Sequence, residues 1–312
     1  MNFWWRAEPP LWSAALWPLE WAYRAGAALQ RISARPTRAR VPVISVGNLT
    51  VGGAGKTPVT LALAQRLVAR GHRPVVLSRG YGRRSREPLL VAPGMTAEAC
   101  GDEPLLLARR GVRVMVGPDR ALLAERATEA DVLILDDGLQ HRALARDLDI
   151  VVADASNAFG NGRVLPRGPL REPLRSLRCL QRVLVWLTRC DLPRDPRVAE
   201  LNRFPLVESA FEARADLRGK RVFLFAGIAR PTSFESTVRA LGAEIAGTRW
   251  FPDHHFFSPR EMSELRRAGD LLVTTEKDFV RLRDTAGIIP VPVELRISRG
   301  EEFLQKALEQ VL

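Results

Sequence analysis

The octapeptide Thr50-Val51-Gly52-Gly53-Ala54-Gly55-Lys56-Thr57 joins a run of small residues to a lysine and a hydroxyl. It matches the phosphate-binding pattern G-x-x-x-x-G-K-[ST] except that Thr50 stands where the first glycine would be. The chemistry is that of an anion cradle. Gly52, Gly53 and Gly55, with Ala54 between them, let backbone N–H groups turn toward phosphate oxygens. A following helix adds the positive end of its dipole. Lys56 reaches terminal phosphates, and the Thr57 hydroxyl is a ligand for Mg²⁺.

Other side chains extend that chemistry. Val132 to Leu135 is an apolar run ending in Asp136-Asp137-Gly138, and carboxylates at such a strand end can hold Mg²⁺. Gly101-Asp102-Glu103-Pro104 offers two carboxylates, either of which could accept the proton of an alcohol nucleophile. Arg79 and Tyr81 lie in Ser78-Arg79-Gly80-Tyr81-Gly82-Arg83, at the end of another apolar run, where α/β sheets bind ligands. Arg163, Arg167, Arg171 and Arg175 recur every four residues, but Pro166, Pro169 and Pro173 forbid a helix there. A Pro/Gly loop presenting arginines suits phosphate clamping. Asp253-His254-His255 gathers two of the four histidines, and Lys277 sits in Thr275-Glu276-Lys277-Asp278.

These groups need a scaffold, and the hydrophobic pattern supplies one. Short apolar runs at 41–46, 74–78, 112–116, 132–135, 150–153 and 183–187 read as buried strands, and 57–70 reads as a helix with Pro58 in its first turn and Gly71 as its stop. Alternation of strands and helices predicts a doubly wound, mainly parallel α/β sheet of the P-loop type. Residues 157–175 read as an ordered loop. A second, smaller α/β pattern follows, with strands at 222–226, 271–275 and 291–297. A capping box at Ser258-Pro259-Arg260-Glu261 opens one helix, another runs on to about Arg283, and a last spans 300–312.

The chain has 312 residues with a net charge of +12, which favours anionic partners, and its 46% hydrophobic and 26% charged residues exclude a disordered class. Only four basic residues are Lys (Lys56, Lys220, Lys277 and Lys306) against 43 Arg, so Lys56 and Lys277 stand out. Cys100, Cys179 and Cys190 are odd in number and far apart, which fits a reducing compartment. Five of seven Trp lie in the first 21 residues, and residues 1–40 carry six Arg against two Glu. Pro9 to Leu19 is uncharged but too short to span a bilayer, and Glu20 and Arg24 separate it from Ala25-Gly26-Ala27, against a cleaved leader. A helix starting near Pro9 or Pro10 is expected, either lying on a membrane surface or packing its Trp on the protein core.

In order along the chain, these motifs closely resemble those of the tetraacyldisaccharide 4′-kinase family. The resemblance rests on Ser45-Val46-Gly47-Asn48 with the phosphate loop, on the Arg79–Arg83 and Gly101–Pro104 stretches, and on Gly117-Pro118-Asp119-Arg120. It continues through Asp136-Asp137-Gly138-Leu139-Gln140-His141 and Gly168-Pro169-Leu170-Arg171-Glu172-Pro173 to Phe251-Pro252-Asp253-His254-His255 and Thr275-Glu276-Lys277-Asp278. It implies transfer of the ATP γ-phosphate to the 4′-hydroxyl of a tetraacyldisaccharide 1-phosphate, with Mg²⁺, in lipid A biosynthesis. It also implies a peripheral position on the cytoplasmic face of the inner membrane, reached through a membrane-associated segment at 1–40. The implied layout is a core at 41–205 to which 298–312 returns, a two-stranded linker at 206–217 and 290–297, and a smaller domain at 218–289, with the active site in a cleft between the domains.

By that resemblance Asp102 is the general base, with His254 as its partner, and Lys56 and Glu103 complete the catalytic group. Asn48, Thr50, Gly52, Gly53, Ala54, Gly55, Lys56 and Thr57 bind ATP. Thr57, Asp136 and Asp137 face the metal. Arg79, Tyr81, Arg120, Gln140, Arg171 and Glu172 lie near nucleotide or acceptor phosphate. Thr188-Arg189-Cys190-Asp191 stands where a base-recognising Thr-Lys-x-Asp tetrad would lie, with Arg for Lys. The partners expected are the acylated disaccharide lipid and the membrane surface, with no nucleic acid and no obligatory protein partner. A non-kinase P-loop NTPase acting as a switch is the alternative, since Gly-Gly-x-Gly-Lys-Thr suits that class too.

Overall fold

The structure is a computed structural model and describes residues 2–6, 8–228, 231–269 and 271–312. At the N-terminus, 3₁₀ turns cover Asn2–Trp5 and Leu11–Leu16, and helix α1 follows (Trp17–Ser33). The α-helix therefore starts later than the prolines at 9 and 10 predict. Pro18 occupies its first turn instead, where a missing N–H costs nothing. Met1 and Ala7 of the expected N-terminal segment lie outside the described residues. The chain continues through β1 (Val43–Gly47), α2 (Lys56–Ala69), β2 (Pro74–Ser78), β3 (Leu89–Leu90), α3 (Ala97–Cys100), α4 (Asp102–Arg109) and β4 (Arg113–Val116). Next come α5 (Arg120–Arg126), β5 (Val132–Asp136), β6 (Leu148–Asp154), β7 (Val183–Thr188) and β8 (Leu206–Ala213). Then follow β9 (Arg221–Ala226), α6 (Pro231–Ala240), β10 (Glu244–Trp250), α7 (Pro259–Ala268), β11 (Leu272–Thr275), α8 (Glu276–Phe279), β12 (Ile288–Val291), β13 (Val293–Arg299) and α9 (Glu301–Glu309).

Two units emerge. The first comprises residues 1–79, 112–211 and 295–312, and the second comprises 80–111 and 212–294. Residues 80–111, expected within the 41–205 core, thus cluster with the second unit. In the first unit the strand order is β13-β8-β7-β6-β1-β5-β2-β4. The pairs β1–β5, β1–β6, β2–β4, β2–β5, β6–β7 and β7–β8 are all parallel. Strands β1, β2, β5 and β6 are buried at every position, the pattern of a sheet covered on both faces. One core layer centres on Leu77, Leu123, Leu133 and Leu135, another on Val151, Phe159, Val185 and Leu187. The order reverses at β1, with β5 on one side and β6 on the other, and that switch point opens the crevice where such sheets take ligands.

The second unit has a four-stranded sheet ordered β10-β9-β11-β12, parallel throughout. Phe234 and Val238 of α6 cover one side, and Leu265 of α7 joins Phe225 and Leu272. The capping box at Ser258 and Glu261 is formed. The helix expected to run to Arg283 closes after four residues at Phe279, and Asp278 and Arg281 are buried. Helix α6 and strand β10 had no sequence expectation. The burial along β10 is only partial, as befits an edge strand.

Candidate functional site

In the first unit the phosphate loop runs from β1 into α2. Positive φ falls at Gly52 (111°) and Gly55 (90°) but not at Thr50, so Thr50 needs none of a glycine's freedom. Thr50 instead forms an antiparallel bridge with Leu170 and takes a hydrogen bond from Asn48 Nδ2 at 3.2 Å. Backbone bonds from Val51 N to Pro169 O (2.7 Å) and from Arg171 N to Leu49 O (2.6 Å) tie the Pro/Gly loop to the loop entrance. At Gly55 even a Cβ would come within 2.9 Å of the Phe211 ring and 3.2 Å of Thr188 Cγ2. The loop is therefore buttressed from below.

Charged side chains converge on its mouth. Lys56 Nζ donates to Asn48 Oδ1 at 3.2 Å and lies 3.6 Å from Asp137 Oδ1. Arg171 donates to both Asp137 oxygens (2.9 and 2.8 Å) and to Gln140 Oε1 at 3.2 Å, while Gln140 Nε2 donates to Asn48 O at 3.2 Å. Arg120, the first residue of α5, is 2% exposed and donates to Asp137 O at 3.3 Å. Its Nε has no hydrogen-bond partner among the described residues. Burial pushes the Arg120 guanidinium down to about 10. Burial alone would raise the Asp137 carboxyl, but Lys56, Arg171 and Arg120 outweigh it and hold it below the usual range. His141 is pushed down to about 4 by burial and by Arg120, Arg79 and Arg146, so it stays neutral. Three cationic side chains, Lys56, Arg171 and Arg120, thus act on the one Asp137 carboxyl.

Asp136 ends β5 buried, with Ser78 Oγ donating to its Oδ2 at 3.0 Å. Thr57, Asp136 and Asp137 together offer a hydroxyl and carboxylates, the hard oxygen donors Mg²⁺ prefers. Among the described residues no trio of His, Cys, Asp or Glu forms a cage, and Mg²⁺ needs none when substrate phosphates and water supply other ligands. Arg79, also expected near phosphate, is exposed at the end of β2. Glu172 has a different setting from the one expected. It is buried and ion-paired with Arg142 (2.8 Å) and with Arg31 of α1, so its charge is committed to holding that helix.

The second unit gathers another set. Gly101 (φ 95°) precedes α4, and a Cβ there would press within about 3 Å of the Gly80 and Tyr81 backbone. This close turn places Asp102 at the start of α4, 5% exposed. Glu103 N donates to its Oδ1 at 2.9 Å, and His254 Nδ1 lies 2.9 Å from its Oδ2. Lys277 Nζ sits 3.2 Å from His254 Nε2. An ammonium only donates, so Nε2 accepts and the ring proton resides on Nδ1, donated to Asp102. Lys277 also lies 3.4 Å from Asp253 and 3.8 Å from Glu103. The Tyr81 ring meets His254 edge-on at 5.5 Å. His254 adopts φ 60°, an uncommon left-handed geometry for a non-glycine residue. Its neighbour His255 turns elsewhere, bonding Glu261 (3.1 Å) and stacking on Phe251.

Burial pushes the Asp102 carboxyl up. The His254 hydrogen bond and the charges of Lys277 and Arg281 push it down further, so it stands below its ordinary value. Arg281 was not foreseen. Its side chain is fully buried, with Nε 3.3 Å from Asp102 and NH2 3.2 Å from Asp278. The i, i+3 spacing from Asp278, behind the Thr275 N-cap, was the available signal.

The family model for tetraacyldisaccharide-1-P 4′-kinase matches residues 12–312. The chain belongs to the tetraacyldisaccharide 4′-kinase family. It is 45% identical to the tetraacyldisaccharide 4′-kinase of Anaeromyxobacter sp. (strain Fw109-5), covering all of this chain and 96% of that one. It is 42% identical to that of Methylobacterium sp. (strain 4-46), covering 98% and 95%. A solved structure of LpxK from Aquifex aeolicus in complex with ATP matches with a TM-score of 0.80 and 29% identity, over 96% of this chain and 99% of that one. The mainly parallel P-loop fold of the kinase family is thus shared. Among the described residues no helix is long and apolar enough to cross a membrane.

Proposed function

We propose that this family member transfers the γ-phosphate of ATP to the 4′-hydroxyl of a tetraacyldisaccharide 1-phosphate in lipid A biosynthesis. The first unit holds the nucleotide. Its loop amides and the α2 N-terminus face the phosphates, and Lys56, Arg171 and Arg120 balance their charge. Thr57, Asp136 and Asp137 would hold Mg²⁺, which when bound neutralises charge on the phosphates. The second unit supplies the group that takes the acceptor proton. Asp102 is held ionised by His254, Lys277 and Arg281, so it is ready as an acceptor at neutral pH. Glu103 N and His254 Nδ1 each meet one Asp102 oxygen, and Lys277 lies against the other ring nitrogen of His254.

The observation that carries this reading is the Asp102–His254 contact, which joins residues 152 positions apart. A nucleotide switch has no alcohol to deprotonate and no use for such a pair. We also place the protein on the cytoplasmic face of the inner membrane. In support, Glu20, Arg24 and Arg31 share one face of α1 and are ion-paired, whereas Trp21, Leu29 and Ile32 are exposed. Leu11, Trp12 and Trp17 extend that exposed apolar set.

The test is transfer of labelled phosphate from ATP to the acylated disaccharide. Lys56→Ala should abolish turnover, and Asp102→Ala should lower kcat by about 10²- to 10⁴-fold while nucleotide still binds. Lipid-independent hydrolysis with no phosphorylated disaccharide would instead support the switch alternative.

A further inference from the structure

One buried arginine reaches both the Asp102 carboxylate and the backbone that carries His254. Arg281 lies just beyond α8, and its side chain is fully buried. Its Nε is 3.3 Å from Asp102 Oδ2. Its Nη1 donates to His255 O at 2.9 Å and its Nη2 to Gly227 O at 3.4 Å. Gly227 O also accepts from His254 N at 3.2 Å, and Gly227 N donates to Asp278 Oδ2 at 3.1 Å. Asp278 Oδ1 in turn lies 3.2 Å from Nη2 of Arg281.

The turn that bears His254 is closely seated. A Cβ at Gly227 would come within 2.9 Å of Pro252 O and 3.2 Å of His255 Cβ, so the glycine admits the 252–255 turn. His254 at φ 60° holds a costly conformation, which persists only where its surroundings fix it. The contact between Arg281 Nε and Asp102 is one of charge, since this Nε makes no hydrogen bond among the described residues. Asp102 takes hydrogen bonds from Glu103 N on Oδ1 and from His254 on Oδ2, so lone pairs remain for the proton of an acceptor hydroxyl. A lysine at 281 could bring the charge, but not the planar fork that meets a carboxylate and two carbonyls at once.

Resting on the reading of Asp102 as the base, we propose that Arg281 is a positioning residue, which fixes the turn bearing His254 against the Asp102 carboxylate.

Arg281→Lys keeps the charge and removes the fork. In the lipid phosphorylation assay its kcat should fall about tenfold to a hundredfold, with the ATP KM unchanged. In a His254→Ala background the same change should cost about twofold or less, because the geometry it maintains is already gone. Histidine ¹⁵N NMR adds a signature that a merely structural arginine would not move. The chain has four histidines, so His254 is assigned by the signals that His254→Ala lacks. The wild type should show the Nδ1–H tautomer there, and Arg281→Lys the averaged pattern of a free imidazole. Wild-type kcat with an unmoved His254 signal in Arg281→Lys would overturn the proposal, since charge alone would then suffice. A full further loss in the His254→Ala background would overturn it too. If Arg281→Lys fails to fold, as judged by thermal unfolding and binding of an ATP analogue, Gly227→Ala decides. That variant leaves every charge in place and wedges the 252–255 turn outward. It should lower kcat at constant ATP KM and shift the His254 signal, and no change in either would sink the proposal. If Asp102→Ala still transferred phosphate, the base reading would fall, while the His254 signal would still decide whether Arg281 sets the geometry of the pair.

Discussion

At the scale of single residues, the second-unit cluster makes a pH-dependent prediction. Asp102 is depressed in the folded state. Its contribution to stability is therefore present above its unfolded-state pKa and lost as pH falls through the folded value. The same shift sets where the base loses its charge. His254→Ala removes the hydrogen bond that lowers Asp102, so the acid limb of kcat/KM should move to higher pH. A pH–rate profile of the variant by radiolabel assay checks this, and an acid limb that stays in place would show that another group sets it. The pairing itself was implied by the family resemblance, but the residues alone did not choose between His254 and His255. Adjacent side chains diverge, and only packing tells which one turns toward α4. Arg281 was illegible for a related reason. A buried arginine looks like any other in a chain with 43 of them until its carboxylate partners are in place.

At the scale of elements, helix α1 is held by buried charge. Glu20 is 3% exposed and meets Arg24 (2.5 Å) and Arg167 (3.0 Å), and Glu172 joins Arg31 to Arg142. Each buried glutamate serves two arginines, so losing the glutamate strands both cations, whereas losing one arginine leaves the other in place. The N-terminal turns are also engaged. Trp4 Nε1 donates to Pro166 O at 2.9 Å, and Asn161 N donates to Trp4 O at 2.7 Å. Deleting residues 1–30 to test membrane binding would therefore strip partners from Arg167 and the Pro/Gly loop, and so from the phosphate site. The cleaner change is on the outer face. Trp21→Ser with Ile32→Ser should cost about 2 kcal/mol of vesicle affinity, a factor of about 30, with ATP affinity unchanged. Co-sedimentation with anionic vesicles measures it. Undiminished binding would mean that this face of α1 is not the membrane contact.

At the scale of the whole molecule, the +12 net charge resolves into different uses. Lys56, Arg120 and Arg171 surround one carboxylate at the phosphate loop. Arg24, Arg31, Arg142 and Arg167 share two buried glutamates, which compensate half of their charge. The remainder is largely solvated surface. Long-range attraction to an anionic membrane should therefore be screened by salt, while the apolar contact of α1 is not. Raising ionic strength from about 0.05 to 0.5 M should reduce binding to anionic vesicles severalfold without abolishing it. Complete loss at high salt would assign the contact to charge alone.

The sequence by itself determined most strands of the first unit, the glycine-rich loop and the family, because strand–loop–helix periodicity and glycine-rich spacing are local. A backbone that must turn around phosphate announces itself in eight residues. Only the tertiary structure decided which distant groups meet. Residues 80–111 cluster with 212–294, not with the strands that flank them in sequence, and that grouping brings Asp102 to His254. Glu172 turns inward to Arg31 of α1, 141 positions away, and Arg189 lies over the Phe211 ring. Such meetings depend on the order in which parallel strands assemble. That order is fixed by the burial of whole faces, a sum over many side chains that no short stretch of sequence contains.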